Sequence, residues 1–485
     1  MSTFSGGSRG SHLVERDSSE YAGLLDHASV VGDCHDDPEE TKPGPGQHCH
    51  KKISSWTGPT VIMCANLMGA GVLALPAVMK YVGWLPGLTL VVVLALGAIY
   101  SGSLISRIWT IANHRKIEAE KYGDLGRFAY GERGEKIVNF ITYFYITIVT
   151  IVFHLTSAES LQTVFYDVGG HYCLWQYSTV VALLVTPLAQ IRSLVNVSYL
   201  AIVGAGTIIG TVIIAVVRLL LNGKFPDSET VLINTSGGDI RDKVNSLVLI
   251  VFSYCGQAIF TELISSMQTP EDFPKSVWSS TLTMMSSYIL IASVGYATLG
   301  NLAIAPVTAA LPSDMWAQVA SVLLFAHVLI AYIIELNILT KGLVHFWKES
   351  FPLPGSNSGP AKPNQIKLRN RLIWGLSSSF LVVMSFVMSN VCSFFSELLS
   401  FAGASGGIAT TYIFPCLFIL KVDQNISKAE ARLCKCIIFF SCIFSAVCLV
   451  NTIQDIFQKW KDVGPPFFCN SCAYKRQHHL TPGVC

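Results

Sequence analysis

Eleven apolar stretches of membrane-spanning length follow one another along this chain of 485 residues. A helix needs about twenty apolar residues to cross the hydrocarbon core of a bilayer, which is about 30 Å thick. The fourth stretch is short and contains Pro187, so it fits this length least well. The repetition predicts an all-α polytopic membrane protein with 11 transmembrane helices. The stretches lie near residues 57–80, 84–107, 137–165, 175–190, 199–221, 244–267, 277–300, 315–340, 371–391, 394–420 and 433–455.

The composition excludes the soluble alternatives. Hydrophobic residues make up 51% of the chain and charged residues only 13%, against about 25% charged residues in soluble proteins. Apolar surface must therefore face lipid. A net charge of +2 gives no reason to expect nucleic acid as a partner. At least seven of the fourteen cysteines lie inside apolar stretches, which is typical of a small hydrophobic side chain rather than of a disulfide framework.

Polar segments flank the apolar region. Residues 1–55 are rich in Gly, Ser, His, Asp and Pro, which predicts a disordered cytosolic tail, and no signal peptide is expected at its start. Residues 56–455 form the membrane domain, and residues 456–485 form a short tail on the other side. The segment from Glu20 to Leu25 has the form of an acidic dileucine signal. It predicts contact with sorting adaptors and favours an endolysosomal or vacuolar membrane over the plasma membrane.

The distribution of basic residues predicts a cytosolic N-terminus, because Lys and Arg accumulate on the cytosolic side of membrane proteins. With this orientation, 24 of the 33 basic residues lie in cytosolic segments and 9 lie outside. The stretch 107–136 is then cytosolic. Asn234, the first residue of an Asn-Thr-Ser glycosylation acceptor, falls in the longest outer loop. We therefore expect Asn234 to face the lumen or the exterior.

Helix-destabilising residues interrupt the first and the sixth stretches. The first contains Gly69 and Gly71 near mid-depth, with Asn66 before them and Pro76 after them. The sixth contains a polar run that ends at Gly256. A contact between small residues of neighbouring helices is the alternative interpretation of such glycines. We favour unwound segments, and irregular backbone persists inside a membrane only where it lines a cavity.

The two interruptions hold equivalent positions in two five-helix halves, residues 57–221 and 244–420. Five helices invert the topology of the second half, which gives a five-plus-five inverted repeat with broken helices 1 and 6. Such a pair points to the substrate site of a secondary transporter. Free N–H groups would hold a carboxylate and free carbonyls an ammonium group, so a zwitterion suits both. The predicted substrate-binding residues are Asn66, Met68, Gly69, Ala70, Gly71, Ser253, Tyr254, Cys255 and Gly256.

Four motifs in register resemble the amino acid/auxin permease family. They are Gly69-Ala-Gly-Val-Leu-Ala-Leu-Pro76, Tyr122-Gly-Asp-Leu-Gly126, Phe252-Ser-Tyr-Cys-Gly-Gln-Ala-Ile-Phe260 with Glu262, and Ala402-Gly-Ala-Ser-Gly-Gly-Ile-Ala-Thr-Thr411. The resemblance covers roughly residues 56–450. It implies the inverted-repeat fold of the leucine transporter type with an eleventh helix appended, and transport of amino acids driven by a cation gradient.

Ionisable residues inside a membrane are functional candidates because burying them is costly. Glu262 in stretch six and His327 near the middle of stretch eight are the predicted proton-coupling residues, although His327 also fits a neutral imidazole bonded to a carbonyl. Glu335 is expected to form a gate or loop contact. The sodium-coupled branch of the family carries an Asn four residues before its first Gly, whereas Asn66 precedes Gly69 by three. Residues 322–339 also contain no Ser or Thr, so proton coupling is favoured over sodium coupling.

The predicted function is thus secondary active, proton-coupled transport of neutral amino acids by alternating access. A sodium-coupled carrier of the same fold and an amino-acid-sensing membrane protein are the alternatives. We expect no enzymatic activity, no cofactor and no metal site, because the chain carries no Walker loop, no His-Glu-x-x-His motif and no arguable nucleophilic triad.

Overall fold

The computed structural model describes residues 55–165, 172–190, 197–235, 239–312, 314–350, 363–463 and 467. This part of the chain is helical and contains no β-strand. The predicted N-terminal tail, with its sorting segment from Glu20 to Leu25, lies outside the described residues. So does most of the predicted C-terminal tail, although the last helix continues to Val463, eight residues into it.

Fourteen α-helices build the described part of the molecule. They are α1 (Thr57–Leu67), α2 (Leu75–Val82), α3 (Trp84–His114), α4 (Tyr122–Phe165), α5 (Leu174–Leu188), α6 (Val197–Asn222), α7 (Ile240–Phe252), α8 (Phe260–Ser266), α9 (Phe273–Leu299), α10 (Met315–Ser350), α11 (Pro363–Val391), α12 (Phe395–Ala402), α13 (Phe414–Val422) and α14 (Lys428–Val463).

The described residues contain fewer candidate membrane spans than the eleven that the sequence predicts. Nine helical segments of the described chain are long and apolar enough to cross a membrane, and the bent pair α1 and α2 makes a tenth. The prediction of an all-α membrane protein with interrupted first and sixth spans is confirmed, but the count of eleven is not. The difference is α5, whose 15 residues extend about 22 Å at 1.5 Å per residue and fall short of the bilayer core.

Burial distinguishes central spans from peripheral ones. The apolar centre of the span Phe395–Val422 is 72% buried, and that of Ile240–Ser266 is 67% buried. The apolar centre of Lys428–Lys461 is only 11% buried. The sixth and tenth spans therefore lie inside the bundle, whereas α14 lies at its edge with most of its surface facing outward. Two π-helical segments, Gly403–Gly407 and Ala409–Ile413, join α12 to α13 within the tenth span.

A corner joins the third span to a short helical segment before it, and α4 includes both. Helix α4 starts at Tyr122, and Gly131 within it has φ 69° and ψ −163°, a backbone conformation that essentially only glycine adopts. The segments before and after this corner touch. A Cβ atom on Gly134 would lie 2.5 Å from the carbonyl oxygen of Gly126. The glycines of the Tyr122–Gly126 motif region thus allow the chain to fold back on itself.

The loop after α6 is fastened to the corner between α2 and α3. The Leu85 amide donates to the Leu232 carbonyl at 2.9 Å, and the Asn234 side-chain amide donates to the Lys80 carbonyl at 2.8 Å. Gly83 makes this approach feasible, because its φ is 88° and a Cβ there would lie 2.9 Å from the backbone nitrogen of Asn234. The predicted glycosylation residue Asn234 is therefore held against the second half of the first span.

Candidate functional site

The first span is interrupted between α1 and α2. Helix α1 ends at Leu67, Met68 leaves the helical region with ψ 61°, and Gly69 is extended with φ −100° and ψ −144°. A 3₁₀-helix over Ala70–Ala74 then leads into α2. The first N–H groups of such a helix have no partner within it. The Gly69 amide, just before the helix, donates to the Leu67 carbonyl at 2.8 Å, so any open donors of this turn come from the residues after Gly69.

The second interruption lies between α7 and α8. Helix α7 ends at Phe252, and the backbone turns at Gly256, whose φ is −176° and ψ 12°. The Gly256 amide is not left open, because it donates to the Gln257 side-chain oxygen at 2.9 Å. Thr411 of the tenth span donates to the same oxygen at 2.7 Å. Gln257 therefore closes the second break, a role that its sequence context does not predict.

Two tyrosines occupy carbonyls that the sequence predicts to be free. The Tyr288 hydroxyl of α9 donates to the Ser253 carbonyl at 2.7 Å and lies 3.3 Å from the Leu67 carbonyl. The Tyr145 hydroxyl of α4 donates to the Cys255 carbonyl at 3.3 Å. These long-range bonds tie the two breaks together and satisfy part of their backbone. A substrate ammonium group would have to share or replace them.

Glycines allow the two interrupted spans to cross closely. A Cβ on Gly71 would lie 2.7 Å from the Ser253 hydroxyl oxygen and 3.2 Å from the Ser253 Cα. A Cβ on Gly256 would lie 2.3 Å from a methyl carbon of Leu67. Gly71 therefore packs against the other broken span, and this contact already requires a glycine at that position.

A cavity of about 40 Å³ lies at this crossing. Of the nine predicted binding residues, Asn66, Gly69, Cys255 and Gly256 line it. Met68, Ser253 and Tyr254 are instead buried in packing, each at most 2% exposed. Three polar side chains, those of Asn66, Tyr145 and Glu335, face the cavity among apolar neighbours. The apolar lining residues are Leu67, Ile146, Val149, Phe153, Phe252, Ala258 and Ile259.

Glu335 is the ionisable residue of this cavity, although its sequence position predicts a gate or loop contact instead. Its side chain is 7% exposed, and its Oε2 atom is buried without a hydrogen-bond partner in the described structure. The Asn66 side chain lines the same cavity and acts on the carboxyl group. The difference comes from helix length: α10 runs to Ser350, ten residues past the predicted end, so Glu335 lies just beyond the middle of the helix.

Glu262 also differs from its predicted placement. The sequence puts it within reach of the break, but the structure exposes its side chain on α8 and does not include it in the cavity lining. The neighbouring charges that act on it are those of Lys341, Lys121 and Glu120. Glu262 therefore faces the polar end of the molecule that the basic-residue distribution assigns to the cytosol.

His327 is buried between α6 and the first break. Its Nδ1 atom is 2.9 Å from the Gly204 carbonyl oxygen. A carbonyl only accepts, so Nδ1 carries the hydrogen. Nε2 is buried without a hydrogen-bond partner among the described residues and would lie 4.0 Å from a Cβ on Gly69. The geometry matches the alternative interpretation, an imidazole bonded to a neighbouring carbonyl, and leaves one ring nitrogen facing the interrupted backbone.

Outside the cavity lining, a second set of buried polar side chains links four helices. His154 of α4 lies 3.2 Å from the Tyr332 hydroxyl and 2.9 Å from the Ser178 hydroxyl, and Asn390 donates to Ser178 at 2.8 Å. These contacts satisfy His154 on both ring nitrogens and join α4, α5, α10 and α11. The described residues contain no group of three or more His, Cys, Asp or Glu side chains arranged to hold a metal ion.

Comparisons with known proteins indicate the family of the chain. A family model described as transmembrane amino acid transporter protein matches residues 51–454. The amino acid transporter AVT1H of Arabidopsis thaliana is 23% identical over 76% of this chain and 82% of its own length. The N amino acid transport system protein of Neurospora crassa is 22% identical over 88% of this chain and 91% of its own length.

One solved structure with some likeness is a variant of the manganese transporter of Eremococcus coleocola. It has a TM-score of 0.47 at 12% identity, and the match covers 87% of this chain and 99% of that one.

Proposed function

Because the chain belongs to the family of transmembrane amino acid transporter proteins, we propose that it is a proton-coupled secondary active transporter of neutral amino acids that works by alternating access. The observation that carries the proposal is the cavity between the two interrupted spans, where backbone donors near Gly69 meet the polar side chains of Asn66 and Glu335. Interrupted spans of this kind hold substrate and coupling ions in secondary transporters.

The lining supports a neutral substrate. The carboxylate would meet backbone N–H groups near Gly69 to Gly71, and the ammonium group would meet carbonyls around Ser253 to Gly256. Binding there would replace the bond from the Gly69 amide to the Leu67 carbonyl and the bonds of Tyr288 and Tyr145. The remaining wall is apolar, with Phe153, Ile259 and their neighbours, and it suits a side chain without charge.

The small volume of the cavity supports transport by alternating access, in which the walls of the site move apart. A cavity of about 150 Å³ holds one benzene molecule, whereas this one measures about 40 Å³. All but the smallest amino acids would require the walls to separate. The conformation described here is therefore close to an occluded one, and the opening of either side enlarges the site.

Proton coupling is favoured over sodium coupling by the available side chains. Sodium requires several oxygen ligands, whereas a proton requires only one titratable group. Residues 322–339 of α10 supply no hydroxyl from Ser or Thr. The candidate titratable groups are Glu262 and His327, to which the cavity adds Glu335. A sodium-coupled carrier and an amino-acid sensor without net transport remain the alternatives.

Uptake into proteoliposomes separates the three functions. Purified protein is reconstituted, and the entry of radiolabelled neutral amino acids is measured with an imposed pH gradient, with and without sodium. We expect accumulation that follows the pH gradient and ignores sodium, and protein-free liposomes provide the control. Accumulation that requires sodium and ignores pH would establish the alternative carrier. Saturable binding without any uptake would establish the sensor.

We further propose that the protein resides in an endolysosomal or vacuolar membrane and contacts sorting adaptors through the segment from Glu20 to Leu25. This proposal rests on the sequence of that segment. A fluorescently tagged full-length protein with Leu24→Ala and Leu25→Ala should move to the plasma membrane. Unchanged localisation of the double variant would remove the segment from the sorting pathway.

A further inference from the structure

The carboxyl group of Glu335 is placed where substrate and backbone meet. It lines the cavity together with Asn66 and Gly69, and its side chain is more than nine-tenths buried. One of its oxygens has no hydrogen-bond partner among the described residues. A buried polar atom without a partner is costly unless something binds it during function. The other carboxyl with a buried, unpartnered oxygen, Glu159, lies outside the cavity lining, whereas Glu335 lies in it, so a proton or a polar part of the substrate in the cavity can supply the partner of Glu335.

The surroundings of Glu335 contain one other carboxyl group. From α1 the Asn66 side chain shares the cavity and acts on Glu335, and from α8 the charge of Glu262 acts on it. From α4 Tyr145 shares the cavity and interacts with it electrostatically. On α10 itself, His327 lies two turns earlier and Lys341 lies near Glu262. The charge that acts on Glu335 is thus negative, and a second negative charge in the same region is unfavourable.

We propose that Glu335 is the residue that binds and releases the coupling proton, an inference that rests on the proton-coupled transport proposed above. In the unprotonated form, the carboxylate accepts a hydrogen bond from the Asn66 amide nitrogen. In the protonated form, its O–H donates to the Asn66 amide oxygen. Asn can serve both forms because its side chain carries a donor and an acceptor. No other reactant is needed: one proton joins the carboxylate and later leaves it.

The position of Asn66 couples this change to the interrupted span. Asn66 precedes the last residue of α1, and the chain leaves the helix at Met68. A change of hydrogen-bond direction at Asn66 therefore acts directly beside the backbone that receives the substrate. Glu262 lacks this placement, because its side chain is exposed and is not part of the cavity lining.

Two transport assays test the assignment on the full-length protein in proteoliposomes. Counterflow exchange requires substrate movement without net proton movement, whereas accumulation under a pH gradient requires both. We expect Glu335→Gln to retain counterflow at a rate within a few-fold of wild type and to lose accumulation. The matched control is Glu159→Gln, which alters another carboxyl with a buried, unpartnered oxygen outside the cavity lining. The control should accumulate substrate as the wild type does.

The outcomes separate the two proposals. If the wild type itself shows no accumulation driven by pH, the proposed function fails. If the wild type accumulates substrate and Glu335→Gln does as well, only the assignment of Glu335 fails. Loss of accumulation in Glu262→Gln but not in Glu335→Gln would return the role to Glu262.

A second variant covers the case in which Glu335→Gln does not insert or shows no counterflow. Glu335→Asp keeps the carboxyl group but moves it away from Asn66. We expect accumulation to persist with a changed pH dependence. An Asp variant whose pH profile coincides with that of the wild type would overturn the assignment.

Discussion

At Gly71 the two interrupted spans approach each other with almost no space for a side chain. We predict that Gly71→Val abolishes uptake, because the added Cβ would lie 2.7 Å from the Ser253 hydroxyl and 3.2 Å from its Cα, and backbone cannot move aside as the end of a flexible side chain can. Uptake per molecule of correctly inserted protein measures the effect. The sequence alone predicts the same loss, but from a blocked approach to the ligand.

The matched control for this substitution is Gly206→Val. Gly206 lies in α6 on an exposed face, and a Cβ there would meet nothing within 4 Å. We expect uptake by this variant to equal that of the wild type. Wild-type uptake by Gly71→Val would show that the two spans do not need to cross this closely during transport.

The residues at which the spans break could be predicted from the sequence, whereas the side chains that form hydrogen bonds to the breaks could not. The break at Gly69 follows from local chemistry, since two glycines and a nearby proline destabilise a helix wherever they occur. The hydrogen bonds of Tyr288 and Tyr145 to the second break join residues 35 and 110 positions apart. No local pattern indicates such contacts, because they depend on how the spans pack. The closure of the second break by Gln257 could not be predicted for the same reason.

At the scale of the helical elements, lengths decided which predictions failed. Apolar stretches mark where a helix crosses lipid, but a helix can continue into polar sequence. Helix α10 extends ten residues beyond the predicted end, which moved Glu335 from a helix end toward the middle. Helix α5, the fourth apolar stretch of the sequence, has only 15 residues and is shorter than the helices that qualify as membrane spans. The short length of this stretch and its Pro187 already indicated this. The interrupted first and sixth spans were predicted correctly because their breaks are encoded in adjacent residues.

The corner within α4 gives a prediction about stability. Gly131 has φ 69°, and a Cβ atom added to it would have no other atom within 4 Å, so Gly131→Ala changes only the backbone preference. A non-glycine residue in this region costs about 1–3 kcal/mol. We expect a lower melting temperature for the purified variant in detergent, measured by thermal unfolding.

The control for the corner is Gly206→Ala, which places the same methyl group in open space on a regular helix. Alanine is favoured over glycine in a helix by about 1 kcal/mol, so this variant should unfold at the same or a higher temperature. A Gly131→Ala protein as stable as the wild type would mean that the corner relaxes without cost.

At the scale of the whole molecule, charge rather than packing sets the orientation in the membrane. The described helices pack the same way whichever side faces the cytosol, and the 24 to 9 distribution of basic residues is what favours a cytosolic N-terminus. Cys173, in the predicted outer loop before α5, is disulfide-bonded, and disulfides persist in oxidising compartments rather than in the cytosol. Both observations support the same orientation.

This orientation predicts opposite accessibility for two sites. A cysteine introduced by Lys121→Cys should react with a membrane-impermeant maleimide only after the cytosolic face is opened, because Lys121 lies in the predicted cytosolic stretch 107–136. Asn234 should carry a glycan in a eukaryotic host, so glycosidase treatment should increase the mobility of the wild type and leave Asn234→Gln unchanged. The bond from the Asn234 amide to the Lys80 carbonyl is compatible with this modification, because a glycosylated amide retains one N–H. Protection of position 121 after selective permeabilisation of the plasma membrane, with labelling only once the membrane that holds the protein is also opened, would reverse the assigned orientation.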